Sequence, residues 1–343
     1  MSLTVTIADI AKKLNTTSAT VSRALNDHPA ISSKTKKRVL QAAEKLQYRR
    51  NTIASALRSG QTGIIGVIIP SAEINFFGSV VHGIENMANQ KGFNVLIYQS
   101  NESWKHEQKG IETFLNARVN GILVSMAKEK NDYRHFLNAL QAKMPIVFFD
   151  RADDELEIDS VLINDHKGAF IATTHLIEQG YKRIAHISGP QHLSIFKARL
   201  EGYKAALRKN GARFDSQLVY TGDVSIDAGK EAVKYFLQLP NPPDAIFAVE
   251  DFTALGAIKE LKHNNISIPK EFGVIGFANE SFGEHISPSL STIDQQTVNM
   301  GKEAFMLIIK LIEEKRNKTG AVQKIVLEPI PIFRESSLRN NIT

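Results

Sequence analysis

An all-α N-terminal headpiece followed by an α/β body of two doubly wound lobes is the fold the sequence predicts, on three observations. Residues 1–60 carry apolar side chains at helical spacing on a strongly basic background. From Gln61 onward, short β-branched runs alternate with amphipathic stretches, the pattern of parallel sheets covered by helices. That alternation comes in two blocks.

The headpiece reads as helix, tight turn, helix, with a third helix behind. Thr6 is placed to cap a first helix whose apolar positions Ile7, Ile10, Ala11 and Leu14 share one face, and Asn15 and Thr16 interrupt it. Thr17 caps a second, short helix with Val21 and Leu25 turned inward, leaving Ser18, Ala19, Thr20, Ser22, Arg23 and Asn26 outside. From about Lys34 to Leu46 a third helix carries Val39, Ala42, Ala43 and Leu46 on one side. Residues 49–60 look like a linker, although N-T-I-A-S-A-L-R followed by Ser59-Gly60 also fits one short amphipathic helix, too short to persist alone.

In the body, the first block holds I-I-G-V-I-I at 64–69, V-L-I-Y at 95–98, G-I-L-V at 121–124 and I-V-F-F-D at 146–150. The second holds R-I-A-H-I at 183–187, A-I-F-A-V at 245–249 and V-I-G-F at 274–277. Doubly wound lobes bind ligands at the carboxyl ends of their strands, which draws attention to Asn75, Phe76 and Phe77, to Asp150, and to Glu250 with Asp251. Aromatic faces with carboxylates suit a sugar: rings cover its apolar side and carboxylates take its hydroxyls. Strand-end carboxylates also serve as helix caps, and Phe76 and Phe77 read equally well as core.

Charge separates headpiece from body. Residues 1–60 contain eleven Lys/Arg against Asp9, Asp27 and Glu44, whereas the remaining chain is nearly balanced, with 31 basic and 33 acidic residues. A basic module on a neutral body is the electrostatic footprint of nucleic-acid binding, and a merely solvated basic face is its alternative. Zero cysteines exclude disulfides and thiolate metal sites, and fit a cytoplasmic location. The start lacks an export signal, and the apolar run Ile64 to Pro70 is too short to span a bilayer, so no membrane partner is expected. Enzymatic motifs fail one by one. Gly222 to Lys230 imitates a phosphate loop with the wrong spacing and Glu231 where a Ser or Thr is needed. There is no G-x-S-x-G, H-E-x-x-H or G-x-G-x-x-G run. His82, His106, His166, His175 and His186 are scattered without ligand spacing, so neither cofactor nor metal is expected.

Ordered segments tie the chain to a family. T-I-A-D-I-A-K-K-L at 6–14, T-V-S-R-A-L-N at 20–26, S-S-K-T-K-K-R-V at 32–39, L-Q-Y at 46–48 and N-T-I-A-S-A-L-R-S-G at 51–60 resemble the LacI/GalR family of bacterial repressors, and the resemblance continues to about residue 335. It implies a helix-turn-helix headpiece at 1–48, a hinge at 49–60 and an effector domain at 61–338 similar to periplasmic sugar-binding proteins. Its lobes are expected over about 62–162 with 291–321, and about 163–290 with 322–338. The second helix then reads the major groove through Ser18, Ala19, Thr20 and Arg23, with Thr6, Thr17, Ser22, Asn26 and Thr35 nearer phosphates. Arg23 is the candidate for bidentate guanine contact, a phosphate contact or internal ion pair being its alternatives. The hinge implies Leu57 as a minor-groove wedge beside Asn51, Ala54 and Arg58. Packing of Leu57 on its own domain is the other reading.

By position in the family, Asp150, Arg199 in R-L-E-G-Y, Glu250 and Gln295 are expected to line the effector cleft, beside Phe76 and Phe77 from the strand-end reading. Two departures stand out: Ala278 replaces an aspartate common in sugar-responsive relatives, with Asn279 as the expected substitute, and Glu250 stands where asparagine is common. The implied partners are a pseudo-palindromic double-stranded operator, a neutral sugar-like effector and a second copy of the chain. The absence of C-terminal leucine heptads favours a dimer over a tetramer.

Overall fold

The computed structural model describes residues 5–48, 62–129, 132–153, 155–314 and 321–339. Contacts divide the chain after Thr62 into two units.

The first unit contains α1 (Ile7–Lys13), α2 (Ser18–Leu25) and α3 (Ser33–Lys45). Thr6 and Asp9 form a reciprocal capping box at the start of α1, satisfying two amides that the helix leaves open. Asn15, with φ +50, turns the chain into α2, and the Thr16 amide closes back on the Ala11 carbonyl at 3.0 Å. A left-handed residue between two helices favours asparagine, whose short side chain tolerates that region. Thr17 caps α2, and Ser32 caps α3. Ile10, Ala11, Val21, Ala24, Val39, Ala42 and Ala43 make the buried core. The expected inward position of Leu25 is only half filled: Ala24 is buried, and Leu25 packs beside it partly exposed.

In the second unit, β1 (Ile64–Ile69), α4 (Asn75–Lys91), β2 (Asn94–Gln99), α5 (Trp104–Asn116), β3 (Gly121–Val124), α6 (Arg134–Gln141), β4 (Ile146–Phe149) and β5 (Asp159–Ile163) lead to a second series. That series is α7 (Asp165–Glu178), β6 (Ile184–Ser188), α8 (Ser194–Lys209), β7 (Val219–Thr221), α9 (Ile226–Leu237), β8 (Ala245–Ala248), α10 (Asp251–His263) and β9 (Gly273–Ile275). The chain finishes with β10 (Thr292–Asp294), α11 (Thr297–Glu314), β11 (Lys324–Leu327) and β12 (Ile330–Ile332). Among the described residues, three sheets form: a parallel one of order β11-β5-β4-β3-β1-β2, a parallel one of order β7-β6-β8-β9, and the antiparallel pair β10-β12.

One expected boundary is corrected. The resemblance implies a second lobe that includes residues 322–338, yet β11 pairs with β5 in the first sheet, Ile325 opposite Val161, because its apolar positions extend that edge. Conversely β10, expected in the first lobe, bridges Ala278 through Asp294 at the end of the second sheet. The chain therefore passes between lobes at Asn164, at Gln295-Gln296 and at 328–329.

Each lobe has apolar cores on both sheet faces. In the first, α4 and α11 cover one face with Phe77, Val80, Ile84, Met300, Phe305 and Ile308. Glycines bring paired helices into backbone contact: a Cβ on Gly83 would stand 2.2 Å from the Val298 carbonyl, and one on Gly301 2.1 Å from that of Val80. In the second lobe, α9 and α10 repeat the device through Gly229 and Gly256.

Candidate functional site

On the first unit, the candidate surface is the start and outer face of α2. Ser18, Ala19 and Arg23 are exposed, as are Thr6, Thr17 and Asn26, while Thr20, Ser22 and Thr35 are half-buried. Several of the polar groups already serve local structure. Thr17 Oγ1 accepts from the Thr20 amide at 3.1 Å and shares a hydrogen bond with Thr20 Oγ1 at 2.9 Å. Asn26 Nδ2 donates to the Ser22 carbonyl at 2.8 Å, and Thr35 shares a hydrogen bond with Ser32, the cap of α3. Of the basic residues, Lys36 is held by Asp27 at 2.6 Å, an ion pair that holds the Asp27 carboxyl below its usual range. The hinge candidates Asn51, Ala54, Leu57 and Arg58 lie outside the described residues.

The second candidate is a cavity of about 250 Å³ between the lobes of the second unit. Strand-end geometry builds it. Phe76 and Phe77 open α4 just after β1, Asp150 follows β4 with φ +61, Glu250 follows β8 as the N-cap of α10, and Gln295 sits in a lobe crossover. Parallel strands deliver all of these to one edge because the following loops leave the sheet at its carboxyl end. Phe76, Phe77, Asp150, Arg199, Glu250 and Gln295 line the cavity together. The two phenylalanines are also part of the first lobe's core, 7% and 2% exposed, meeting edge to face at 5.1 Å. The same rings are thus core side chains and part of the cavity lining.

Arg199 is buried and largely committed. Its Nε donates to Asp165 at 2.7 Å, one terminal nitrogen to the Val249 carbonyl at 2.7 Å and the other to Gln295 Oε1 at 3.2 Å, with the guanidinium 3.7 Å from the Phe277 ring centre. Of five guanidinium N–H groups, these bonds use three. Burial pushes Asp165 upward against the pull of Arg199.

Two cavity carboxyls are shifted toward their neutral form. Burial, with Arg151 and Arg199 opposing it, raises Asp150, whose Oδ2 accepts from Ser125 at 3.3 Å. Glu250 is pushed up to about 8, by burial first and then by the charge of Asp251, although the Phe252 amide donates to it at 2.8 Å. Behind it, burial takes Asp251 to about 7 despite bonds from the Glu280 amide and Thr292 hydroxyl. Glu280 in turn accepts from Asn75 and the Phe76 amide, so a second-lobe carboxyl meets the start of a first-lobe helix. A carboxyl held toward its neutral form can offer both a donor and an acceptor.

Asn279 is the expected contact that the structure moves elsewhere. With φ +129 at Ala278 and +57 at Asn279, the chain turns after β9 so that the Ala278 methyl faces the cavity. The Asn279 amide instead donates to Asp294 at 3.0 Å and accepts from Arg334 at 3.2 Å. Sequence reasoning missed Arg151, Phe196 and Phe252 in the lining. Arg151 and Phe252 follow the strand ends one residue beyond where it stopped, and Phe196 lies one helical turn before Arg199 on the same face of α8.

His175 and His186 serve packing, whereas His82, His106 and His166 are exposed. His186 is buried between Tyr203 and Phe247 and pushed down to about 4 by burial, and His175 stacks on Phe333 beside Ser337. Among the described residues no cluster of His, Cys, Asp or Glu fits a metal ion, and no helix is long and apolar enough to cross a membrane.

Comparison with known proteins joins the two sites. The profile of bacterial regulatory proteins of the lacI family matches residues 6–51, and that of periplasmic binding proteins and the sugar binding domain of the LacI family matches residues 62–335. The transcriptional regulator RegA of Clostridium saccharobutylicum is 30% identical over 97% of this chain and 99% of its own. The transcriptional repressor CytR of Escherichia coli K12 is 32% identical over 92% of each. In fold, the chain is similar to the Lac repressor dimer crystallised with operator and the anti-inducer ONPF, with a TM-score of 0.86, 23% identity, and coverage of 98% of this chain and 100% of that one. With profiles spanning both units and full-length relatives of the same kind, the chain belongs to the LacI family of bacterial DNA-binding transcriptional regulators.

Proposed function

We propose that this protein is a homodimeric repressor, acting in the bacterial cytoplasm, whose affinity for a pseudo-palindromic operator is set by a neutral sugar held between the lobes of its second unit. The observation that carries the effector reading is the convergence of Phe76, Phe77, Asp150, Glu250, Arg199 and Gln295 on one cavity at the strand ends. Aromatic rings provide the apolar wall, and the Arg199 guanidinium with two carboxyls provides hydroxyl partners. Asn279 is placed outside the sugar's contacts, as a support for the turn that carries Ala278.

In the headpiece, Arg23 reads guanine, Ser18, Ala19 and Thr20 lie against base edges, and Thr6, Thr17, Ser22, Asn26 and Thr35 face phosphates. The hinge candidates Asn51, Ala54, Leu57 and Arg58 act in the minor groove, with Leu57 as the wedge. Two headpieces related by twofold symmetry read the two half-sites. The Gln295 crossover couples the sites, because a ligand held by Gln295 acts on a segment joining the lobes. The test is salt-dependent binding of the purified protein to a library of palindromic operators, repeated with a panel of neutral sugars. One palindrome enriched, with its affinity changed by one sugar, supports the reading. Sequence-independent binding that no sugar changes overturns it.

A further inference from the structure

The chain enters the second unit at Gly63, and one side chain holds its first two residues there. Gly63 has φ +68, a left-handed turn that glycine takes freely, and leads directly into β1. Its carbonyl accepts from the Asn94 amide, where β2 begins, at 2.8 Å. On the opposite side the ladder to β3 opens only at Ile65, opposite Gly121, so Gly63 and Ile64 stand ahead of it. Before β3 the backbone turns away: Arg118 has φ +55, and the Val119 amide closes on the Phe114 carbonyl at 3.2 Å. Asn120 bridges the gap. Its amide donates to the Ile64 carbonyl at 2.7 Å, and its Oδ1 accepts from the Gly63 amide at 2.7 Å and the Ile64 amide at 3.2 Å. Backbone amides withdrawn from water need an acceptor, and here a side chain supplies the one that strand pairing does not.

The strand that Asn120 heads reaches the cavity at its other end. All of β3 is buried, and Ser125 just beyond it donates its amide to the Ile68 carbonyl at 3.1 Å and its hydroxyl to Asp150 at 3.3 Å. Beside it β1 runs in register from Ile65 to Ile68, about 20 Å for its six residues, and leads on to Phe76 and Phe77. The same two strands therefore carry cavity residues at one end and the entry of the chain at the other. A third element presses on this end. A Cβ on Gly121 would stand 2.7 Å from Ile308 of α11, the helix that follows the Gln295-Gln296 crossover between the lobes. Interiors packed this closely pass displacement on instead of absorbing it. A shift of α11 or of β3 thus moves Asn120, and Asn120 moves Gly63.

We infer that Asn120 is the positioning residue that couples the effector body to the headpiece, its Oδ1 clasping the Gly63 and Ile64 amides so that the chain leaves the first lobe at a place set by β3 and α11. Asn120 is not among the residues lining the cavity, so the clasp can be removed with the sugar's contacts intact. The inference rests on the reading of sugar-controlled operator binding, and adds to it the residue at which the signal leaves the body.

The test uses the full-length protein, the palindrome enriched from the operator library, and glucose, galactose, xylose, mannose, maltose and cellobiose as probes. In the parent, one of these sugars changes operator affinity by about fivefold or more, the ordinary scale of such coupling. In Asn120→Ala that factor falls to about twofold or less, while calorimetry without DNA finds the sugar's Kd within about twofold of the parent's. Because coupling is reciprocal, the sugar then binds the variant almost equally with and without operator. Asn120→Asp, which offers an oxygen at the same reach, keeps the parent's factor. Asn120→Leu fills the same volume without an acceptor and gives the alanine result should Asn120→Ala be too unstable to measure. A sugar response equal to the parent's in the alanine and leucine variants overturns the clasp and leaves the functional reading standing. So does a response that falls only in step with sugar affinity and melting temperature, which is the signature of a merely structural residue. If no sugar changes the parent's operator affinity, the functional reading fails and Asn120 loses its role with it.

Discussion

Glu250 shows how one residue holds two roles. As the N-cap of α10 it receives the Phe252 amide, and as a cavity wall it is half-buried with Asp251 and Glu280 nearby. Its carboxyl is raised from an ordinary 4.5 to about 8, so the folded state binds a proton that the unfolded state releases at lower pH. The associated stability is fully present below about pH 4.5 and is lost as pH rises through about 8. Glu250→Gln removes that titration, and the melting temperature of the variant should gain on that of the parent from about pH 5 to about pH 8 and level off above it. Parallel curves would show that Glu250 ionises normally. In the headpiece, Arg23→Ala should cost about 1–3 kcal/mol against an operator with guanine at the contacted position and much less against one lacking it. An equal loss on both sequences, in binding assays at fixed salt, would reassign Arg23 to phosphate. The strand-end positions Phe76, Phe77, Asp150 and Glu250 were legible in the sequence because parallel strands fix where their following residues go. Asn279 was not, because two successive positive φ angles at Ala278 and Asn279 reverse which side chain faces inward, and nothing in the letters A-N marks that turn.

At the scale of elements, strands that are apolar throughout were readable, and strands of mixed composition were not. Ile64–Ile69 and Ile146–Phe149 stand out as unbroken runs, whereas β5 begins with Asp159-Ser160 and β7 is three residues long. Pairing within the sheet, not local composition, makes strands of β5 and β11. Helix pairing depends on glycine in a way that propensity alone would invert. Alanine normally stabilises a helix over glycine by about 1 kcal/mol. At Gly301 the added methyl would stand 2.1 Å from the Val80 carbonyl, so Gly301→Ala forces α4 and α11 apart and should lower the melting temperature. Gly78, exposed on α4 with nothing within 4 Å of a new Cβ, should respond oppositely, with a gain of up to about 1 kcal/mol. Thermal melts of both variants test the close crossing, and a stabilised Gly301→Ala would exclude it.

For the whole molecule, the proposed dimer has a surface to use. β2 ends the first sheet, and Leu96 and Ile97 on it are 41% and 50% exposed, an apolar edge that a lone subunit leaves in water. Ile97→Glu should shift the protein from dimer to monomer in sedimentation and weaken operator binding far more than it changes sugar affinity. An unchanged dimer would place the interface elsewhere. Two lobes were legible from the two blocks of strands, but their exchange of β10 and β11 was not, since sheet membership at the end of the chain depends on which edge lies open in space. That exchange has a consequence for synthesis. The headpiece core closes once residue 48 has emerged, but the first sheet waits for β11 at 324–327. The second sheet waits for the Ser336 carbonyl to take the Val274 amide. On the ribosome, therefore, a folded headpiece precedes by nearly the whole length of translation the domain that would regulate it. Nascent chains halted between these points should carry a protease-resistant headpiece followed by a body that is still digestible.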